Sequence, residues 1–413
     1  MKPLPTGAGI GTACYLGSVP GDIDHDRIRQ AAEWLIDGAR SAPEAPDVLD
    51  QLVRRLVDAG LTLWRVAVFV RTLHPNVMGR RFSWRRGEAV SVAAAPYQMF
   101  DSPAFKDSPV DRVYRTGAPV RRRLLEPDCP VDHLILEEVR AEGATDYLAL
   151  PLVFTDGQVH VVTWATDAPA GFTDAELAAI DTLIRPLARV AEVRALRRTA
   201  INLLDTYVGR RSGARILAGH IRRGDIETIE AAFWYSDLRE FTWLNETLAP
   251  PDLLTLLNEY FEAVANAAEG FGGEVLQFIG DAAVLIFPVG AGAEGRRTAC
   301  RNALAGARLA LATIEQVNER REAAGQPAIR FGIGLHVGTV SWGNIGGVDR
   351  LGFNAVGPAV NRTARIETLT KTVGLPLLLS EDFATALDQP CRPVGSFPLK
   401  GVPEPQTIYA VDV

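Results

Sequence analysis

Cysteine is scarce: the chain has four, Cys14, Cys129, Cys300 and Cys391, and no two stand in a CxxC pair. Such scatter argues against a zinc site and against a disulfide framework, and it suits a reducing compartment. Long apolar runs are also missing. The N-terminal stretch MKPLPTGAGIGTACYLG lacks the continuous apolar core of a signal peptide. The longest apolar run, near YLALPLVF (147–154), falls far short of the roughly 20 residues that span a bilayer. The expectation is a cytoplasmic protein with no membrane partner. Positive charge is not in excess: 43 Lys and Arg face 50 Asp and Glu, for a net charge of −7, so nucleic acid is not expected as a partner. The basic cluster Arg121–Arg123 reads as a local solvated face. His74, His133, His160 and His220 form no metal-ligand spacing.

What is present is a globular composition, 47% hydrophobic and 23% charged, spread over 413 residues. That length exceeds one ordinary core, so two domains are expected. DHDRIRQAAEWLIDGAR and DVLDQLVRRLVDAG carry apolar residues at helical spacing, and TLWRVAVFVRTL reads as a strand. YLALPLVFTDGQVHVVTWAT reads as two strands joined by a Thr-Asp-Gly turn. Thr173 and Glu176 form a capping box that opens a long helix, which continues through RALRRTAINLLDTYVG. In it Ile180, Ile184, Leu187, Ala191, Ile201 and Leu204 keep a three-four spacing, while Pro186 and the arginines weaken a coiled-coil reading. A single packed linker and a parallel dimer seam both remain open.

From 229 the pattern restarts. IEAAFWYSDL reads as a strand and PPDLLTLLNEYFEAVANAAEG as a helix. GGEVLQFIGDAAVLIFPV reads as two strands about a Gly-Asp turn, a helix covers roughly 296–323, and AIRFGIGLHVGTVSWGNIG is strand-like. Asp disfavours strand interiors, so Asp237, at the end of FWYSD, is either a turn former or a ligand. Asp281 sits in the tight turn after Ile279 and Gly280. Two strand-end carboxylates can converge on one sheet edge and hold paired hard cations such as Mg²⁺. The stretch LREFT after Asp237 starts a helix whose free N–H groups would face an anion. A phosphate-bearing substrate with metal is the coherent reading.

The order helix, strand, variable middle, strand hairpin and long terminal helix resembles a GAF domain, as does SPVDRVYRTGAPVRRRL (108–124). The resemblance implies a sensor domain over 46–195 behind a helical extension at 1–45, with a helical linker over 196–228 and a small-molecule ligand it does not name. Cys129 is followed by Pro rather than His, against a covalent bilin. Over 229–413, FWYSDLREFT, GGEVLQFIGDAAVLIF, RFGIGLHVGTVSWGNIGGVDRLGFNAVGPAVNRTARIE and LKGVPEP resemble, in order and spacing, the class III nucleotidyl cyclase catalytic domain.

That resemblance implies an α+β fold with a ferredoxin-like βαββαβ core, and a lyase that converts ATP to cyclic AMP and pyrophosphate. Asp237 and Asp281 match the metal-binding aspartates for two Mg²⁺ or Mn²⁺ ions, with the Leu238 carbonyl completing one metal site. Amides of Leu238, Arg239, Glu240, Phe241 and Thr242 match the phosphate cradle. Asn361 and Arg365 match the pair that orients the ribose and stabilises the transition state, and Lys400 the lysine on the terminal phosphates. The i,i+4 spacing of Asn361 and Arg365 puts them on one helix face, and a planar guanidinium suits the transferring phosphoryl group. In that family each site is shared between two domains, so a homodimer with two equivalent sites is implied.

Three positions depart from the pattern. Gln277 stands where adenylyl cyclases usually carry Lys, and Asn354 where they carry Asp; guanylyl cyclases typically have Glu and Cys there. Pro358 replaces a frequent Asp. Base choice is therefore open between ATP and GTP, and a guanylyl or dual-specificity enzyme is the alternative, with a silent nucleotide-binding dimerisation module a third. A diguanylate cyclase is disfavoured because GGEVL lacks the GGDEF-type acidic pair.

Overall fold

The computed structural model describes residues 23–348 and 350–412, so Cys14 and the N-terminal stretch to residue 22 lie outside the described residues. The chain divides into two units, Met1–Leu203 and Leu204–Val413. No helix among the described residues is long and apolar enough to cross a membrane.

The first unit begins with α1 (His25–Ile36), α2 (Ala45–Asp58), β1 (Arg65–Arg71), β2 (Val77–Arg85) and β3 (Ser91–Pro96). It continues through α3 (Pro109–Thr116), β4 (Val120–Arg123), α4 (Leu134–Ala141), β5 (Asp146–Val153), β6 (Val159–Thr166) and α5 (Asp174–Val208). The sheet runs β3-β2-β1-β6-β5-β4, and every neighbouring pair is antiparallel. Helices cover both faces, which is why β1, β5 and β6 read as nearly continuous apolar runs. Val66, Val68 and Val70 of β1 join α1, α2 and α5 in one core. Phe69, Tyr147 and Val161 join α3 and α4 in another. Ile28, Ala31 and Leu35 tie α1 into the first of these cores rather than leaving it as an appendage.

The capping box forms as expected: Glu176 N donates to Thr173 Oγ1 at 3.2 Å and Thr173 N donates to Glu176 Oε2 at 2.9 Å. From there α5 runs 35 residues without a break at Pro186. Ile180, Leu183, Leu187 and Val190 are committed to the sheet, whereas Val193, Leu196 and Tyr207 are exposed. The expected solvated face at 121–123 holds for Arg123, which is exposed, and is corrected for Arg121 and Arg122, which are largely buried. Asp146 is fully buried on β5 and accepts from Arg121 Nη2 at 2.6 Å and from Phe172 N at 3.1 Å. Arg122 pairs with Asp132 at 3.0 Å. Deleting one partner of such a buried pair would strand the other charge, so Arg121 is structural.

The second unit opens with α6 (Arg210–Leu217), β7 (Ile226–Leu238), α7 (Phe241–Thr247), α8 (Pro250–Gly270), β8 (Glu274–Ile279), β9 (Ala282–Pro288) and α9 (Gly292–Ala323). Then follow β10 (Phe331–Gly346), β11 (Leu351–Val356), α10 (Pro358–Val373), β12 (Leu377–Ser380), α11 (Glu381–Ala386), β13 (Arg392–Phe397) and β14 (Gln406–Ala410). The sheet order is β13-β14-β12-β10-β7-β9-β8, with β11 on β10. Within it, β7-α8-β8-β9-α9-β10 is a βαββαβ unit whose strands lie β10-β7-β9-β8, all antiparallel. Alternation along β7 explains its aromatics. Trp234 packs under α8 and α9, Phe233 packs on the opposite face with Trp342, and both are fully buried.

Candidate active site

Asp237 is the last residue but one of β7, opposite Ala282 on β9 and Gly332 on β10. The strand is anchored one residue earlier, where Tyr260 Oη donates to Ser236 Oγ at 2.9 Å inside the core. Asp281 occupies the two-residue turn between β8 and β9, which Gly280 enters at φ 64°. Because β9 lies beside β7, this turn delivers Asp281 to the strand end that carries Asp237. Burial, and then the Asp237 charge, push the Asp281 carboxyl up to about 6. Two carboxylates so placed repel each other until a cation joins them.

A third acid stands close. Glu367 of α10 is buried, and its carboxyl is raised to about 7, first by desolvation and then by Asp237. Lys371 of α10 brings a cation to this edge, with Nζ 3.4 Å from Asp237 Oδ2. Its sequence signal was weak: a single lysine in the last turn of a helix reads as a solvated end.

The chain past Asp237 turns sharply. Glu240 adopts φ 59°, a left-handed conformation that a non-glycine residue holds at a cost. It caps α7, whose first backbone bond runs from Leu244 N to Glu240 O at 3.0 Å. The amides of Phe241 and Thr242 thus precede the first helical bond and lack an intrahelical acceptor. Arg239 differs: its amide donates to the Arg330 carbonyl at 2.8 Å, so in this conformation it is not open to a phosphate.

Glycines on β10 set the position of α10. A Cβ on Gly334 would lie 2.5 Å from Glu367 N and Thr363 O, and one on Gly332 would lie 2.2 Å from Thr370 Oγ1. Their absence lets the helix lie directly on the strand. Thr363, Ile366, Glu367 and Thr370 form its buried face. At about 100° per residue, Asn361 and Arg365 point well away from that face and from Lys371. Asn361 is exposed and Arg365 half-buried. Within one chain the fold therefore joins Asp237 to Asp281 and does not join either to Asn361 or Arg365. Lys400 is exposed in a turn after β13, without an ion-pair partner among the described residues.

Gln277 follows a bulge in β8, and Asn354 on β11 pairs with Gly343 of β10. Both are half-buried. Their neighbours Leu276 and Phe353 belong to one apolar cluster, which brings the two strands near each other.

Hard oxygen donors fit a hard divalent cation. Asp237, Asp281 and the Leu238 carbonyl are such a set, and a divalent cation there would offset the Asp237 repulsion that adds to burial in raising the Asp281 carboxyl. No cluster of three or more His, Cys, Asp or Glu suited to a metal occurs among the described residues, so these two carboxylates would need oxygens from elsewhere to complete a shell.

Residues 226–412 match the family described as the adenylate and guanylate cyclase catalytic domain. The match lies within the second unit, Leu204–Val413. An adenylate cyclase of Anabaena cylindrica is 32% identical over 201 residues, covering 46% of this chain and 38% of the relative. Adenylate cyclase 1 of Rhizobium meliloti is 28% identical over 306 residues, covering 68% of this chain and 44% of the relative. The chain thus spans about two fifths of the length of these two relatives. Among solved structures, the adenylyl cyclase CyaB from P. aeruginosa aligns at 24% identity and a TM-score of 0.40, over 46% of this chain and 96% of that one. The guanylyl cyclase Cya2 aligns at 29% identity and a TM-score of 0.38, over 44% of this chain and 91% of that one.

Proposed function

We propose that the protein is an adenylate cyclase that converts ATP to 3′,5′-cyclic AMP and pyrophosphate under control of its N-terminal unit. The observation that carries this reading is the meeting of Asp237 and Asp281 at one sheet edge, within a segment that matches the cyclase catalytic domain. The ribose 3′-oxygen attacks the α-phosphorus, the bond to the bridging oxygen breaks, and pyrophosphate leaves with that oxygen. Asp237, Asp281 and the Leu238 carbonyl would hold two Mg²⁺ or Mn²⁺ ions, which lower the pKa of the attacking hydroxyl and offset phosphate charge. The amides of Glu240, Phe241 and Thr242 would receive phosphate oxygens. Asn361 would orient the ribose, Arg365 would donate to the transferring phosphoryl group, and Lys400 would pair with the terminal phosphates.

Two features support a homodimer with shared sites. Asn361 and Arg365 face out of the chain that carries the aspartates. Exposed apolar side chains also flank the aspartates, with Trp243 in α7 and Phe278 and Ile279 beside the Asp281 turn. Helices on both faces of an antiparallel sheet, in the element order described above, support the GAF-like reading of the first unit. Gln277 and Asn354 favour a second reading, a dual-specificity or guanylate cyclase, because neither amide carries a charge that fixes one base.

Incubating the purified chain with ATP or GTP and Mn²⁺, then resolving products by chromatography, tests the reading. Cyclic AMP and pyrophosphate are expected from ATP, with near-complete loss in Asp281→Asn. Absence of cyclic product from either nucleotide would refute it.

A further inference from the structure

The first unit contains a cleft of about 450 Å³ between its sheet and helices α2 and α5. That volume lies in the range of small-ligand pockets, roughly 300–1,000 Å³. Sheet register explains its floor. Val68 pairs with Phe82, and Phe82 pairs with Val92, so the three side chains form one rung on the same face. Val70 pairs with Arg80 on the next rung of that face. Leu49 of α2 forms part of one wall, and Ala191 and Ala195 of α5 form part of another. Two alanines at helical spacing leave the room that larger side chains would fill.

Charge on the lining is one-sided. Arg80, Arg194, Arg197 and Arg198 all line the cleft, against one acid, Glu44. Arg194 donates to the carbonyls of Pro43 and Ala42 at 2.5 and 2.6 Å. Arg80, Arg197 and Arg198 have no acidic partner within salt-bridge distance among the described residues. Arg80 Nε and Thr72 Oγ1, both on the lining, are buried without any hydrogen-bond partner. Buried donors left open are uncommon in folded proteins and call for an acceptor. Burial and Arg198 both lower the Arg80 pKa, the direction expected of a cation that lacks a counter-charge.

We propose that this cleft binds a small amphiphile with an anionic head, seated on Arg80 and Arg198, and an apolar tail lying over Val68, Phe82 and Val92. A carboxylate and a phosphate monoester share the chemistry required of the head: several acceptor oxygens and a negative charge. The cleft meets α5 between Leu187 and Ile201, and the same helix continues to Val208, past the boundary at Leu203. A bound molecule therefore touches the element that leads directly into the second unit. The binding itself does not depend on the catalytic reading.

Calorimetric titration of the full chain tests this with decanoate, dodecanoate, dodecyl phosphate, dodecanol and acetate, the long-chain anions below their micellar concentrations and dodecanol below its solubility limit. One molecule of a long-chain anion is expected per chain, with acetate failing to bind and dodecanol at least about tenfold weaker. The stronger of the carboxylate and phosphate arms identifies the head group. Arg80→Met keeps the stem and breaks no observed hydrogen bond, so it should fold, weaken the anions by about tenfold and leave dodecanol unchanged. Ala191→Trp should fill the cleft and abolish all binding. Equal affinity for dodecanol and dodecanoate, undiminished binding in Ala191→Trp, or no binding by any long-chain anion would overturn the proposal. So would a change in sedimentation on Ala191→Trp without ligand binding in the parent, since a second copy would then be the occupant.

Discussion

Lys371 Nζ lies 3.4 Å from Asp237 Oδ2, an ion pair between the last turn of α10 and the end of β7. The pair is partly open, with 46% of the lysine side chain and 24% of the aspartate exposed, so it is screened and worth far less than a buried bridge. Its position matters more than its strength. The ammonium stands beside the carboxylate that a cation would approach, and it carries one of the two charges a divalent ion would supply.

Removing that ammonium should therefore favour metal. Lys371→Met is expected to tighten Mn²⁺ binding in the absence of nucleotide by about three- to tenfold, as loss of a competing unit charge at a partly exposed site would give. Electron paramagnetic resonance of free Mn²⁺ reads this directly. An unchanged or weaker affinity would show that the lysine does not compete for the site.

The contact of α10 with β10 yields a second expectation. A methyl group on Gly334 would meet backbone atoms of Glu367 and Thr363 at 2.5 Å, and backbone cannot rotate away. Gly334→Ala should lift α10 from the strand, cost on the order of 1–3 kcal/mol and displace Asn361, Arg365 and Lys371 together. Denaturant unfolding and turnover should both report the loss. Gly338→Ala, whose methyl would meet only the Ala359 side chain at 3.0 Å and the His336 ring at 3.2 Å, should be milder.

These relations mark where sequence reading stops. FWYSD, the Gly-Asp turn and the periodicity of α8 are local signals, and each produced the expected element. Strands β2 and β3 went unseen because VMGRRFSWR and SVAAAP mix arginine, glycine and alanine without clear alternation. Arg121 looked solvated because its partner Asp146 lies 25 residues away on another strand. Lys371 and Asp237 are 134 residues apart, and the bare strand face at Gly332 and Gly334 of β10 lets α10 lie close enough to join them. The motif FGIGLHVG was visible; the helix that exploits its bare face was not.

His336 gives the second unit a pH dependence. It is buried, its Nδ1 lies 2.8 Å from Ser380 Oγ, and desolvation, followed by Arg362, lowers its pKa to about 4. The unfolded chain binds that proton near 6.5, so between those values the unfolded state holds more protons than the native state. Stability is full above about pH 6.5 and falls by up to roughly 3 kcal/mol as pH drops to 4. His336→Asn, which keeps an amide near Ser380, should flatten this slope in chemical denaturation run from pH 7 to 4. An unaltered slope would move the effect to other groups.

If the sites are shared between two chains as proposed, complementation is the sharpest test of assembly. An Asp237→Asn chain and an Arg365→Ala chain should each be nearly inactive. Mixed, they form a heterodimer in which one site collects both defects and the other has none. Up to about a quarter of native activity is expected if chains exchange freely, since half the dimers are mixed and each has one intact site of two. Demonstrated exchange without recovered activity would refute the shared site.

In the proposed site, base choice would rest on two neutral amides. Adenine offers an acceptor at N1 and donors on N6, while guanine offers a donor at N1 and an acceptor at O6. Gln277 could donate its NH₂ to adenine N1 while the Asn354 oxygen accepts from N6. The same side chains turned over would suit guanine, and no side-chain hydrogen bond among the described residues fixes either amide. A mismatched buried polar group costs roughly 1–3 kcal/mol, which a freely turning amide escapes. The expected outcome is a preference for ATP with measurable use of GTP. Gln277→Lys combined with Asn354→Asp replaces two reversible groups by a fixed donor and a fixed acceptor, and it should sharpen ATP selectivity by about tenfold or more. Comparing kcat/KM for the two nucleotides in both proteins measures this. A strong native preference for GTP, or selectivity untouched by the double substitution, would place base reading on other residues.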